Sequence, residues 1–358
     1  MDPTLDFFDT YVLIAITEEI VPQTSFFRDR YFPSGAGDIF AADKVLTEYR
    51  KGDRKMAAFV APRAGDIPVD RRGYEIHEYQ PAFIAPSRVL TADELQKRGF
   101  GEALYPGQDS AQRAARILLQ DQTDLEERIG RREEWMAVQT MINNACTMQE
   151  YIDAKTVGDQ LHVQFYDTVS DHIYTVSKTW NASDGDFFGD VRAMCRMLSK
   201  RGLRAADLVL GTDAADAILE IEKVQKLLDK NSGIITGQIE QELTQYEGVV
   251  AMGVLNFGGF KLTLISCDEA YVDDNDNEQK YFPATSAMVT APGCGHFMYG
   301  QITQIDYGST DFQTYANKRV PKFCVDQPHD IRKLRLGSRP LAAPQSYCPY
   351  IYAANVVG

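Results

Sequence analysis

From Ser110 to about Thr147 the chain contains no proline, and Leu118, Leu125, Ile129 and Met136 recur on one helical stripe. Trp135, Val138 and Ile142 thicken that stripe toward its end. About 37 residues at 1.5 Å each make a rod of roughly 55 Å, with Gly130 as its interior weak point. A helix beyond about 25 residues ordinarily signals a coiled coil, a membrane span or a helical repeat. Charges such as Arg131-Arg132-Glu133-Glu134 exclude a membrane span, no heptad persists, and no repeat appears. What remains is a spine helix laid along a sheet, with an ordinary long helix of an α+β enzyme as the alternative.

Length and composition are consistent with such a frame. A chain of 358 residues suggests roughly two domains, and 44% apolar content is ample for real cores. No stretch of about 18 uncharged apolar residues occurs, and the acidic N-terminus lacks a basic leader region. The chain is therefore expected to start at or near Met1 and to stay in the cytoplasm, with no membrane partner. Six cysteines, Cys146, Cys195, Cys267, Cys294, Cys324 and Cys348, are scattered with no CxxC pair. They read as free, mostly buried thiols of a reducing compartment.

Net charge is −14, and it is unevenly distributed. Residues 50–99 carry ten Lys/Arg against seven Asp/Glu, and residues 318–340 carry seven against two. Residues 205–280 hold five basic and fifteen acidic side chains, and residues 1–49 hold three and nine. Alternating blocks of opposite sign favour complementary contacts between copies of one chain. Solvated faces on a monomer are the plainer alternative.

A pass along the chain gives an α+β organisation. Residues 1–50 form an arm: a short apolar element at Tyr11–Ile16, the aromatic run Phe26-Phe27-Arg28-Asp29-Arg30-Tyr31-Phe32-Pro33, and a short helix capped by Asp43 through Tyr49. The aromatic run has no long apolar period around it and too little local surface for a core of its own. Residues 51–90 read as a long β-hairpin, Lys55–Pro62 out and Tyr74–Ala85 back, with a basic tip at Arg63, Arg71 and Arg72. An isolated two-stranded ribbon is marginal in water and needs a neighbour to rest on. A short helix at Thr91–Lys97 precedes the spine.

Beyond the spine, Leu161–Phe165 and Ile173–Val176 are expected to pair as a hairpin about Asp167–Asp171. Asp186 caps a helix through Ser199, Asp207–Gly211 is a short buried strand, and Ala214–Leu228 is another helix. Strands follow at Ala251–Val254, Lys261–Ser266, Ala287–Ala291 and Phe297–Ile305. Residues 187–311 thus make a compact inserted α/β unit, between a domain at residues 91–186 and its completion at residues 312–358.

Several residue groups invite a chemical reading. Asp273-Asp274-Asn275-Asp276-Asn277-Glu278 has the oxygen density of a calcium site but lacks the glycine and late glutamate of an EF-hand loop. A solvated loop fits it better. Gly293-Cys294-Gly295-His296 lacks a partner triad. His77 and His162 sit in strand patterns, where a lone histidine is more often a satisfied group than a ligand. Glu126-Glu127 and Glu133-Glu134 alternate with arginines and read as salt-bridged faces of the spine. No phosphate loop, zinc-protease, nucleophile-elbow or dinucleotide motif occurs. No catalytic residue, cofactor or metal site is assigned. A sequence pI near 4.9 argues against a DNA reader, which should be basic.

The aromatic run Phe26–Pro33, the basic punctuated stretch through Pro86, the charged helix ending Arg131-Arg132-Glu133-Glu134-Trp135-Met136 and the closing Lys318-Arg319-Val320-Pro321 together resemble the lambda-type major capsid proteins of tailed bacteriophages. The likeness is strongest over Phe26–Met148 and Tyr315–Pro344. It implies the Hong Kong 97-like shell fold, with arm, extended hairpin, spine helix and an inserted axial domain. It also implies a non-enzymatic subunit that self-assembles into hexamers and pentamers of an icosahedral head around double-stranded DNA, without specific DNA binding. Implied partners are other copies of the chain, a separate scaffolding protein, a portal protein and optionally a decoration protein. Phe26, Phe27, Tyr31, Phe32, Arg63, Arg71 and Arg72 are the expected subunit-interface residues. Alternatives are a non-phage protein compartment of the same fold and an α/β enzyme with an unrecognised site.

Overall fold

The computed structural model describes residues 25–42, 45–49, 75–91, 110–151, 156–166, 170–231, 245–246, 248–273, 276–326, 328 and 331–358. Its helices are α1 (Phe26–Tyr31), α2 (Ser110–Asn143), α3 (Phe187–Lys200), α4 (Thr212–Leu219) and α5 (Glu222–Asn231). The proline-free stretch is thus one uninterrupted helix as far as Asn143, and from Ala145 it is a strand. It stops where Asn144 adopts a φ of +54°, a left-handed conformation that asparagine tolerates better than most residues.

The chain after α2 builds a five-stranded sheet in the order Ile351–Ala353, Ala287–Thr290, Asp207–Gly211, Phe260–Cys267, Val249–Phe257. Asp207–Gly211 runs parallel to Phe260–Cys267, and the other pairings are antiparallel. All of Asp207–Gly211 is buried, as a strand covered on both faces must be. Leu208 and Leu210 pack with Val191, Met194 and Leu198 of α3 and Ala214 and Ile218 of α4. Val209, pointing the other way, joins Ile265, Met288 and the aromatic run in a second cluster. Gly258 and Gly259, with φ of +56° and +87°, close the hairpin between the last two strands, as a tight two-residue turn requires.

Helix α2 bridges two smaller sheets. Its Leu125 and Ile129 pack on Phe323, Leu334 and Leu336, from the sheet Val320–Asp326, Ile331–Gly337, Ser87–Thr91. About two to three turns further on, Met136, Ala137 and Met141 enter the main cluster with Leu341, Ala342 and Ala343, from the sheet Ile39–Phe40, Gly295–Gly300, Pro340–Pro344. Thr140 Oγ1 donates to the Ala342 carbonyl at 3.3 Å. A spine helix laid along sheets is what the stripe predicted.

Several elements differ from the sequence expectations. Val45–Tyr49 is a strand, not the helix expected there: it pairs with Glu75–Tyr79, and that ladder outweighs the local helical signal. Leu161–Gln164 lies in a strand, Val157–Gln164, that pairs with Ala145–Tyr151 and not with residues 173–176. The reversal at Asn144 brings the nearer segment alongside, while Ile173 bridges Tyr352 and Tyr174 donates its amide to the Tyr352 carbonyl at 2.7 Å. The helix expected over Ala214–Leu228 is two, because Ile218 and Val224 are both buried in one cluster, and positions six apart on a straight helix face different ways. Phe297–Ile305 divides into Gly295–Gly300 and Ile302–Ile305 in different sheets, and Ile351–Ala353 joins the five-stranded sheet instead of the closing segment's own. Thr91 ends a strand, and the helix expected through Lys97, like the elements expected at Tyr11–Ile16 and Lys55–Pro62, otherwise lies outside the described residues.

Candidate functional site at the arm and spine junction

The aromatic run folds as α1, and its first-turn amides need acceptors that the Ser25 side chain does not supply. Glu134 of α2 supplies them: Phe27 N and Arg28 N donate to its Oε1 and Oε2 at 2.6 and 2.8 Å. The rings complete the docking. Phe26 and Phe27 meet edge to face at 5.0 Å, Phe27 stacks on Phe282 at 5.9 Å, and Phe32 meets Phe297 at 6.1 Å. Phe26, Phe27, Tyr31 and Phe32 are each 0–1% exposed.

This corrects the expectation that those four side chains pack on another subunit. The run lacks a core in its own segment, but the chain supplies one from α2 and from strands hundreds of residues away, so no surface is left to offer. Gly293-Cys294-Gly295-His296 belongs to the same docking. A side chain at Gly295 would overlap the Phe32 ring at 2.3 Å, and Gly293 N donates to the Arg30 carbonyl at 2.9 Å. Burial pushes the Cys294 thiol up to about 12, which is the reverse of an activated nucleophile. Arg63, Arg71 and Arg72 lie outside the described residues.

Charged groups knit the same junction. Arg319 donates to Glu126 Oε2 at 2.7 Å and to Glu133 Oε1 and Oε2 at 2.7 and 2.9 Å, and its Nη1 also reaches Ser338 Oγ at 3.0 Å. Arg28 approaches Glu133 at 3.5 Å. Arg30 clasps Asp207 through two bonds of 2.7 and 3.1 Å, and Tyr31 donates to the same carboxylate. Burial alone would push Glu133 up, yet Arg319 and Arg28 hold it below the usual carboxylate range. Glu134 moves the other way: burial, reinforced by Glu269, pushes it up to about 8 against the pull of the two amides and Arg28. Tyr299 lies under Lys318 and Arg319 at 5.7 and 5.8 Å, and burial next to Glu133 raises its hydroxyl.

The salt-bridged faces expected on α2 therefore need correction. Glu127 does pair with Arg131 one turn on, at 2.9 Å, but Glu126, Glu133 and Glu134 are buried and matched from elsewhere. Arg319 was not anticipated as their partner. A signal existed: Glu126 and Glu133 fall at helical spacing among Leu125, Ile129 and Met136, so the apolar stripe carries them inward. Three of the segments singled out from the sequence, Phe26–Pro33, Arg131–Met136 and Lys318–Pro321, meet at this one place.

The other chemical candidates stay dispersed. His162 Nδ1 shares a bond with Thr147 Oγ1 across the strand pair at 2.8 Å. All six cysteines are free, five of them buried. Among the described residues no three His, Cys, Asp or Glu side chains converge to hold a metal ion, and no described helix is long and apolar enough to cross a membrane.

The family model described as phage major capsid protein E matches residues 9–351. The chain belongs to that family. Its members are structural capsid proteins, and this chain is a phage major capsid protein. It is 24% identical over 325 residues to the major capsid protein of Enterobacteria phage P21, covering 88% of this chain and 89% of that protein. The P21 prophage-derived major head protein of Escherichia coli matches equally. A crystal structure of the prophage capsid protein from Escherichia coli covers 97% of this chain and 98% of its own, with a TM-score of 0.65 at 15% identity. A phage-related protein of Bordetella bronchiseptica gives 0.51 at 13% identity, with 97% of each chain covered. The fold is the α+β, Hong Kong 97-like capsid fold.

Proposed function

We propose that this capsid protein acts by self-assembly alone, without turnover, building five- and six-membered rings of an icosahedral phage head around double-stranded DNA. Assembly takes place in the host cytoplasm, with a separate scaffolding protein and a portal protein as partners and a place for a decoration protein. Residues 187–311 serve as the axial domain and residues 91–186 with 312–358 as the peripheral one, while the 51–90 hairpin and the arm ahead of its buried aromatic run adjust their angles between ring types. The acidic balance suits a wall that holds DNA without binding it specifically.

One observation carries the reading. Ile305 and Phe312 face each other in the ribbon Ile302–Ile305 with Phe312–Tyr315, and they are 36% and 74% exposed, with Tyr307 at the turn 52% exposed. A two-stranded ribbon holding out paired apolar side chains needs a second copy to cover them. Phe312→Asp should leave the melting temperature of the subunit within a few degrees while light scattering shows no shells. The basic tip provides a companion test in the same assay. Arg71→Glu with Arg72→Glu should slow assembly at low salt, since each exposed pair is worth only about 0 to 1 kcal/mol but recurs around a ring. Wild-type assembly curves from both variants would remove the support for these contacts.

A further inference from the structure

A groove of about 730 Å³ opens between α2 and the strand Ala270–Val272 with the turn that follows it. Arg128, Arg131 and Arg132 line one wall with Trp135, and Asp273 and Asp276 line the other. The three arginines are exposed, and Arg132 lies over the Trp135 ring at 5.5 Å, so the wall offers guanidinium groups beside an aromatic face. Such a wall fits carboxylates flanked by apolar side chains.

This chain carries a segment of that chemistry. Met1–Ile20 holds five acidic residues, Asp2, Asp6, Asp9, Glu18 and Glu19, and no lysine or arginine. Phe7, Phe8 and Tyr11–Ile16 supply the apolar partners. The segment also enters the described structure beside the groove. Ser25 precedes α1, whose first amides bond to Glu134, and Glu134 sits between Arg131 and Trp135 on α2. The aromatic packing continues from one place to the other, since Tyr271 of the groove meets the Tyr281 ring at 4.8 Å and Tyr281 donates to the Arg131 carbonyl. From Ser25 back to Ile20 an extended chain reaches about 17 Å, while residues 128 to 135 occupy only about 10 Å of helix.

We propose that the groove is the seat of the chain's own acidic amino-terminal segment, Met1–Ile20, held by Arg128, Arg131 and Arg132 and by contact with Trp135. Attachment at Ser25 gives this occupant a high effective concentration over any competing acidic peptide. The inference is independent of ring formation, because the contact lies within one subunit: loss of the intrachain link would refute the inference and leave the assembly reading intact.

The test is photocrosslinking in the full-length protein, with benzoylphenylalanine at position 8 and the products mapped by mass spectrometry. The expected product is an intrachain link from position 8 to residues 128–135 or 270–273. Arg131→Glu with Arg132→Glu should lower its yield about tenfold or more through like-charge repulsion, and adding Asp6→Lys with Asp9→Lys should restore it. Melting curves of each variant check that the fold persists, both substituted arginines being exposed. Links to other parts of the chain, or a yield unmoved by charge reversal, would overturn the proposal. Links joining two chains through the groove would overturn it too, by assigning the seat to a neighbour's segment.

Discussion

Arg319 is the residue on which the junction turns, because one guanidinium answers two buried carboxylates, Glu126 and Glu133. Removing it strands both, and breaking a buried pair by deleting one partner costs about 3 to 5 kcal/mol. Arg319→Met should therefore lower the unfolding free energy from denaturant titration by about that much, and Glu126→Gln with Glu133→Gln in the same chain should recover most of it. Glu134 responds to pH in the opposite sense from Glu133. Its folded value, up at about 8, exceeds the unbound 4.5, so the folded state holds a proton that the unfolded state has released, and stability falls as pH rises between the two. Glu133, held low, adds stability above its unfolded value that is lost as pH falls through the folded one. Denaturant titrations at about pH 5 and about pH 8 should show wild type losing stability at the higher pH, and Glu134→Gln losing less. The helical spacing of Glu126 and Glu133 among buried apolar residues was visible in the sequence. Their partner was not, since Arg319 lies 186 positions from Glu133 and nothing local pairs them.

Helix α1 is six residues long and would not hold alone in water. Its stability comes from α2, through Glu134 at its amides and through Gly130, where the Arg28 guanidinium lies 3.3 Å from the place a Cβ would occupy. Gly130, read from sequence as a weak point, is where the arm passes close to the spine. Phe27→Ala should then cost about 3 to 5 kcal/mol, the usual range for a buried aromatic, and show as a lower melting temperature of the isolated subunit. A soluble variant of unchanged stability that merely failed to assemble would restore the contact with another subunit that the sequence suggested. The spine, the capped helix after Asp186 and the buried strand Asp207–Gly211 were legible because each carries its signal locally, as period, cap or apolar run. Val45–Tyr49 and the pairing of Val157–Gln164 were not, because strand partners are chosen by what the fold brings alongside. The aromatic run was half legible: its need for a partner was clear from its neighbours, and the partner's identity required the chain to close on itself.

Taken as a molecule, the chain has its charged and aromatic arm segment locked inward and holds the exposed apolar side chains of one ribbon, Ile305 and Phe312, on its outside. The buried junction couples the arm, the spine, the closing segment and the five-stranded sheet, so subunit contacts act on a body that moves as one where these elements meet. Electron microscopy of the wild-type protein expressed in bacteria tests the account most directly. It should show closed shells or curved sheets tiled with six-membered rings, five-membered rings appearing where the surface closes. Dispersed subunits at every salt and protein concentration, with no ring of either kind, would contradict it.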